Sequence, residues 1–327
     1  MPSARGGRLR WTLLRIAVSV FLLTLLLRRI TLTELGESFA RALANWPLLL
    51  AAFAVPLAGI AVAAVRWRML MDVQGVHIPV QRFWMALLVG AFFNQTLPST
   101  VGGDLARGVW VTKPGESPIA NLAVVTLDRA IGVFSLCLLA LVCALASPAV
   151  RHLLPGLWIV PASVAGITLA LALLATRHAR ALGDRLFSLG VLRRYRDKAI
   201  LVFDTLRAYR YQKAVLALAV VLSIGLQLII VIQSVLLATA LGLQISMWEL
   251  ALIVPVVTLV SMLPVTINGL GLREGAFAVL GASIGITAAD AVALGWLTVA
   301  GALIYGIWGA TLHLRGRGRR EAVEESS

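Results

Sequence analysis

The sequence predicts an all-α integral membrane protein with about six spanning helices and two broken re-entrant helical hairpins in an inverted-topology repeat. Three observations predict it. Of 327 residues, 60% are hydrophobic and only 13% charged, whereas soluble domains are about half apolar and a quarter charged. Six apolar runs reach the ~20 residues a spanning helix needs. Two short segments, Leu97–Arg107 and Leu263–Arg273, align without gaps. Their Leu, Pro, Thr, Gly and Arg residues coincide, and Val101 matches Ile267.

The six runs are 11–28, 46–65, 119–145, 156–176, 214–241 and 288–313. The apolar run near the N-terminus follows several arginines, as in a signal peptide. It leads into Arg28-Arg29 with no small-residue cleavage site, so the expectation is an uncleaved first helix. Two further stretches, 83–110 and 247–284, are interrupted. Pro98, Gly102 and Gly103 break the first, and Pro264, Gly269 and Gly271 break the second. Proline removes an amide donor and glycine weakens a helix, so each stretch should form two half-helices around a break.

Net charge is +14, from 29 Lys and Arg against 15 Asp and Glu. No basic stripe is interleaved with stacking aromatics, so nucleic acid is not an expected partner. The positive charge instead orients the chain, because basic segments stay on the cytoplasmic side. Both termini are then cytoplasmic, and the hairpins enter from opposite faces. Residues 1–10 and 314–327 are expected to be polar cytoplasmic tails around one membrane domain, 11–313. Its repeats are about 46–145 and 214–313. The basic loop between them, 177–213, has a first run Leu182, Leu186, Leu189 and Leu192 and a second run Ile200, Phe203, Leu206 and Tyr209 at roughly helical spacing. It reads either as amphipathic helices on anionic lipid head groups or as a solvated connector. Arg66-Trp67-Arg68 reads most simply as an interfacial anchor. Cys137 and Cys143 lie in one apolar helix and read as small core residues.

Charge inside a bilayer is costly, at least about 2.5 kcal/mol per group at the helix centre. Asp128 and Arg129 fall near mid-depth of the 119–145 run. Adjacent helical residues point about 100° apart, so each needs a partner elsewhere. Asp128 could pair with Arg107 or Arg273, and Arg129 with Asp104 or Glu274. Asp104 and Arg107 follow the first break, and Arg273 and Glu274 follow the second. A half-helix start carries free amides and a partial positive charge, and an Arg one turn later makes it suited to phosphate. Asn94, Gln95 and Asn268 lie beside the breaks and could satisfy freed backbone groups. Gln227 and Gln233 read as interhelical glue.

The chain lacks a Gly-x-x-x-x-Gly-Lys-Ser/Thr loop and a His-Glu-x-x-His motif. No catalytic residue, metal or cofactor is assigned, and a soluble catalytic domain is not expected.

Three motifs in order carry a family resemblance. They are Asn94-x-x-Leu97-Pro98-x-x-x-Gly102-Gly103-Asp104-x-x-Arg107, Asp128-Arg129-x-x-Gly132, and Leu263-Pro264-x4-Gly269-Leu270-Gly271-x-Arg273-Glu274, supported by Arg66-Trp67-Arg68. Together they resemble the lysylphosphatidylglycerol synthase transmembrane-region family over about 10–313. Asn268 stands where Gly is expected. The resemblance implies a bacterial inner-membrane lipid flippase or transporter without the cytosolic synthase domain, which should not make lysyl-lipid itself. Its cargo would be a phospholipid, a hopanoid or a polyprenyl-phosphate lipid, and its protein partner a lipid synthase. Two alternatives stay open: an integral-membrane transferase acting on lipid-linked sugars, and a non-catalytic lipid-binding scaffold.

Overall fold

A computed structural model of the chain describes residues 3–96, 102–112, 118–146, 166 and 196–324. Among these the regular structure is entirely helical. Helix α1 spans Ser3–Leu27, α2 Leu32–Ala44, α3 Trp46–Val73, α4 Val80–Thr96, α5 Gly102–Val111 and α6 Ile119–Ala146. After the undescribed stretch come α7 Arg196–Ala208, a single 3₁₀ turn Tyr209–Tyr211, α8 Lys213–Ala240, α9 Met247–Ser261, α10 Leu272–Ala282 and α11 Ala288–Glu324. Among the described residues five helices are long and apolar enough to cross a membrane: α1, α3, α6, α8 and α11. The protein is an all-α, multi-pass membrane protein. The expected span 156–176 lies outside the described residues, as does Pro98.

Both interrupted stretches divide where the sequence placed the breaks. The first gives α4 and α5, and the second gives α9 and α10. The packing of the two halves corresponds. Helix α3 packs along α8, α4 along α11, and α9 against α6. Each half therefore lays the first arm of its broken stretch on the last long helix of the other half.

Helix α3 runs two turns past the expected end at residue 65. That extension carries Arg66 and Trp67 into the interior, where they are 7% and 0% exposed. The interfacial-anchor reading of these two residues is therefore corrected. Arg68 is the outward member and sits 3.6 Å from Asp72.

Helix α2 was not anticipated. It is closed by a capping box in which the Thr31 hydroxyl accepts from the Glu34 amide and Glu34 accepts from the Thr31 amide. Its buried face, Leu35, Ser38 and Ala42, docks against α11 and α8. There Arg41 donates to the Leu241 carbonyl at the end of α8 and pairs with Asp290 in the first turn of α11. An arginine at a helix C-terminus and an aspartate at a helix N-terminus both suit the local dipole. Ser246 and Glu249 repeat the capping box at the start of α9.

The loop 177–213 is described only from residue 196. Its run Leu182–Leu192 lies outside the described residues. Of the second run, Leu206 packs against the core, and Tyr209 is 1% exposed with its hydroxyl donating to the Leu70 carbonyl. This part packs on α6 and is hydrogen-bonded to the end of α3 through Tyr209 and Gln74. Burial pushes the Tyr209 phenol up to about 12. The backbone is helical from Ser3 and as far as Glu324, within the segments expected to be tails.

The α4–α11 contact depends on one glycine. A Cβ at Gly309 would run into the Leu88 carbonyl, which is backbone and cannot rotate away. Gly309→Leu should destabilise the protein by about 1–3 kcal/mol, as overpacking does. Gly36→Ala, in α2 with nothing within 4 Å of the new Cβ, should not. Thermal melts of both variants in detergent check this.

Candidate functional site

The centre of the first half is a network of five charges. Asp128, on α6 and 2% exposed, lies nine residues in from the helix start, about 14 Å along the axis at 1.5 Å per residue. Its Oδ1 accepts from Arg66 Nε of α3 at 2.8 Å. Its Oδ2 accepts from Arg107 Nη2 of α5 at 3.2 Å. Two guanidiniums thus satisfy one buried carboxylate, which is what keeps such a charge tolerable in a low dielectric. Arg66 also donates through Nη1 to the Ser223 hydroxyl of α8 at 2.5 Å. The Arg107 guanidinium lies 4.9 Å from the centre of the Trp67 ring, a cation–π contact within a buried aromatic pair with Phe83.

Asp104 forms the second node. Its Oδ1 accepts from Arg107 at 3.1 Å, and its Oδ2 is held by Arg129. Asp104 and Arg107 are one turn apart on α5, while Asp128 and Arg129 are adjacent on α6. The 100° between those neighbours lets Asp128 reach Arg107 while Arg129 reaches Asp104. Of the alternatives left open by the sequence, Asp128 takes Arg107 rather than Arg273, and Arg129 takes Asp104 rather than Glu274. Arg66 is the member that sequence reasoning missed.

These charges line a cavity of about 340 Å³. Arg66, Arg107 and Arg129 face Asp104 and Asp128 in it, an excess of one positive charge. The remaining wall is largely apolar, with Asn94, Gln227 and Thr258 as further polar groups. A site of this make-up can hold a group of small negative charge with apolar parts alongside.

The break before α5 is closed by its own hairpin. Asn94 of α4 accepts from the Gly103 amide at 3.0 Å, the role foreseen for residues beside the break. Gly103 has no room for a side chain, since a Cβ there would strike the Gly90 carbonyl and the Asn94 side chain. Gly102 is also buried.

The second half differs. Asn268 takes the left-handed conformation, φ 51°, which Asn tolerates better than most residues. Its side-chain amide donates to Gln95 Oε1 at 2.7 Å, so the two breaks are tied to one another. Gly269 and Gly271 also have positive φ. At Gly271 a Cβ would lie 2.9 Å from Leu22 Cβ, so α1 seats against this glycine. The Ser19 hydroxyl of α1 accepts from the Ile267 amide. Pro264 stands in the turn region between α9 and α10.

Arg273 lines a second cavity of about 230 Å³ with Asn268, Ser234, Ser261 and Thr298. It donates to the Asn268 carbonyl at 3.2 Å. Among the described residues no carboxylate lies within ion-pair distance of it. Glu274 does not point into either cavity. It is fully buried and accepts from the Gly271 amide at 2.6 Å through Oε2, capping its own helix. The expectation that Glu274 reaches Arg129 is thus corrected. The two cavities share Ile230, Thr258 and Met262 in their walls.

Asp128 and Asp104 should differ in structural weight. Asp128→Asn leaves buried Arg66 without a carboxylate partner and Arg107 with Asp104 alone, and should cost about 3–5 kcal/mol. Asp104→Asn should cost less, because Arg107 keeps Asp128 and Arg129 is the more exposed arginine. Chemical denaturation of the two variants in detergent measures the difference.

No curated protein and no solved structure matches the chain. The family model described as the lysylphosphatidylglycerol synthase TM region matches residues 12–309. That match takes in both broken stretches, the five-charge network and the second cavity, and the chain belongs to the lysylphosphatidylglycerol synthase transmembrane-region family.

Proposed function

We propose that the protein moves a lipid with a polar or phosphate-containing head group across the bacterial inner membrane. The observation that carries this reading is the arginine-rich cavity of the first half, with one excess positive charge and a largely apolar wall. The head group would sit against Arg107 and Arg129 while acyl chains remain in the bilayer. Arg273 would offer the equivalent contact in the second cavity. Membership of a membrane family related to lipid flippase-like domains supports the same reading. So does the repeated break, because paired interrupted helices in two halves mark the substrate region of many transporters.

In this reading the broken stretches are re-entrant hairpins in an inverted repeat, and both termini are cytoplasmic. Arg107 and Arg273 contact the phosphate in turn. Asp104 and Asp128 hold Arg107 while the site is empty. Asn94 and Asn268 keep the breaks in register, and Pro98, Gly102, Gly103, Pro264, Gly269 and Gly271 make them. Glu274 acts through the α10 start rather than on the cargo. Phospholipid, hopanoid and polyprenyl-phosphate lipids all fit this description. A lipid synthase would be a natural source of the cargo.

The test is lipid movement in reconstituted vesicles with a panel of head groups. Arg107→Ala and Arg273→Ala should each abolish movement while retaining the fold, since Asp128 keeps Arg66 and Asp104 keeps Arg129 when Arg107 is lost. Wild-type movement in both variants would sink the phosphate-site reading. Product formation from a nucleotide sugar would favour the transferase instead.

A further inference from the structure

The two half-sites are unequal. The gapless alignment of Leu97–Arg107 with Leu263–Arg273 sets Arg107 against Arg273 and Asp104 against Leu270. The first arginine has an acidic residue three positions before it, and the second has an apolar one. The structure gives this difference a consequence. Both carboxylate oxygens of Asp104 are taken by guanidiniums, Oδ1 by Arg107 and Oδ2 by Arg129. That is the geometry in which two arginines would hold a phosphate. Among the described residues Arg273 has the Asn268 carbonyl as its one hydrogen-bond partner, and its neighbour Glu274 caps the Gly271 amide.

The two carboxylates of the first half also differ from one another. Asp128 is 2% exposed and is fixed from behind by Arg66, which is itself anchored on Ser223. Asp104 is 14% exposed and faces the cavity, and Arg129 beyond it is 34% exposed. An anion entering the cavity can replace Asp104 without disturbing Asp128.

We propose that Asp104 is a built-in counter-anion that occupies the place of a ligand phosphate and sets which head-group charge the first half accepts. This rests on reading the cavity as a phosphate-lipid site. A phosphate binds at Arg107 and Arg129 only by displacing Asp104, whereas at Arg273 it meets no competing carboxylate. The second half is therefore the stronger anion site. With Asp104 present, the first cavity has one excess positive charge and matches a phosphodiester. Without it the excess is two, which matches a dianionic phosphate monoester.

The test is titration calorimetry on the full chain in detergent. The probes are dihexanoyl-phosphatidylglycerol, dihexanoyl-phosphatidic acid and inorganic phosphate, the last separating a lipid head group from free phosphate as the ligand. Wild type should bind both lipids, with the tighter site lost in Arg273→Gln. In that Arg273→Gln background, Asp104→Asn should tighten the remaining site by about tenfold, and more for phosphatidic acid than for phosphatidylglycerol. Asp104→Ser replaces the Asn variant if melting shows the latter to be unfolded. Weaker or unchanged binding on removing the carboxylate, in folded protein, would overturn the proposal while leaving the phosphate-lipid reading intact. No binding of any probe to wild type or variants would overturn both.

Discussion

The buried carboxylate of Asp128 is the constraint from which much of the first half follows. An isolated charge at this depth is too costly to keep, so its presence demands cationic partners from neighbouring helices. Arg66 brings α3, Arg107 brings α5, and the Ser223 contact of Arg66 brings α8. Removing both arginines would leave the buried carboxylate uncompensated, which is far worse than never having had the pairs. The broken stretch exists in part to satisfy this demand. Only a helix that starts inside the protein can present Arg107 one turn from its origin, and the break at Gly102-Gly103 supplies that start.

Packing around the breaks follows from the same need for close approach. Gly103 lets α5 lie against α4, Gly309 lets α11 lie against α4, and Gly271 lets α1 lie against the start of α10. Freed backbone groups find partners in Asn94 and Ser19. The Gln95–Asn268 hydrogen bond then ties one break to the other. The result is a polar interior whose hydrogen bonds are supplied from within the protein, as a bilayer requires.

Much of this was legible in the sequence. Hydropathy located α1, α3, α6, α8 and α11, and Pro and Gly located the division of both interrupted stretches. The demand of Asp128 and Arg129 for separate partners narrowed each to two candidates, and tertiary geometry chooses Arg107 and Asp104. Arg66 was missed because apolar composition ends at residue 65, whereas the helix does not: two further turns are held by packing of Trp67 against Phe83 and Arg107. Helix α2 was overlooked although Thr31-x-x-Glu34 is a capping box in plain view, since its polar face masked it from a hydropathy scan. The role of Glu274 was not readable. A carboxylate at a helix start can cap the helix or reach across to an arginine, and only tertiary geometry chooses.

The order of the charges along the chain bears on how the protein enters the membrane. Helix α6 is apolar enough to cross a membrane, yet it carries an adjacent Asp and Arg nine and ten residues in from its start. Its partners in the network, Arg66, Asp104 and Arg107, all precede it in the sequence. By the time α6 leaves the ribosome, the groups that neutralise it have already been synthesised. Among the described residues the counter-charges of α6 therefore all lie on the N-terminal side of it, and none is supplied by a later segment.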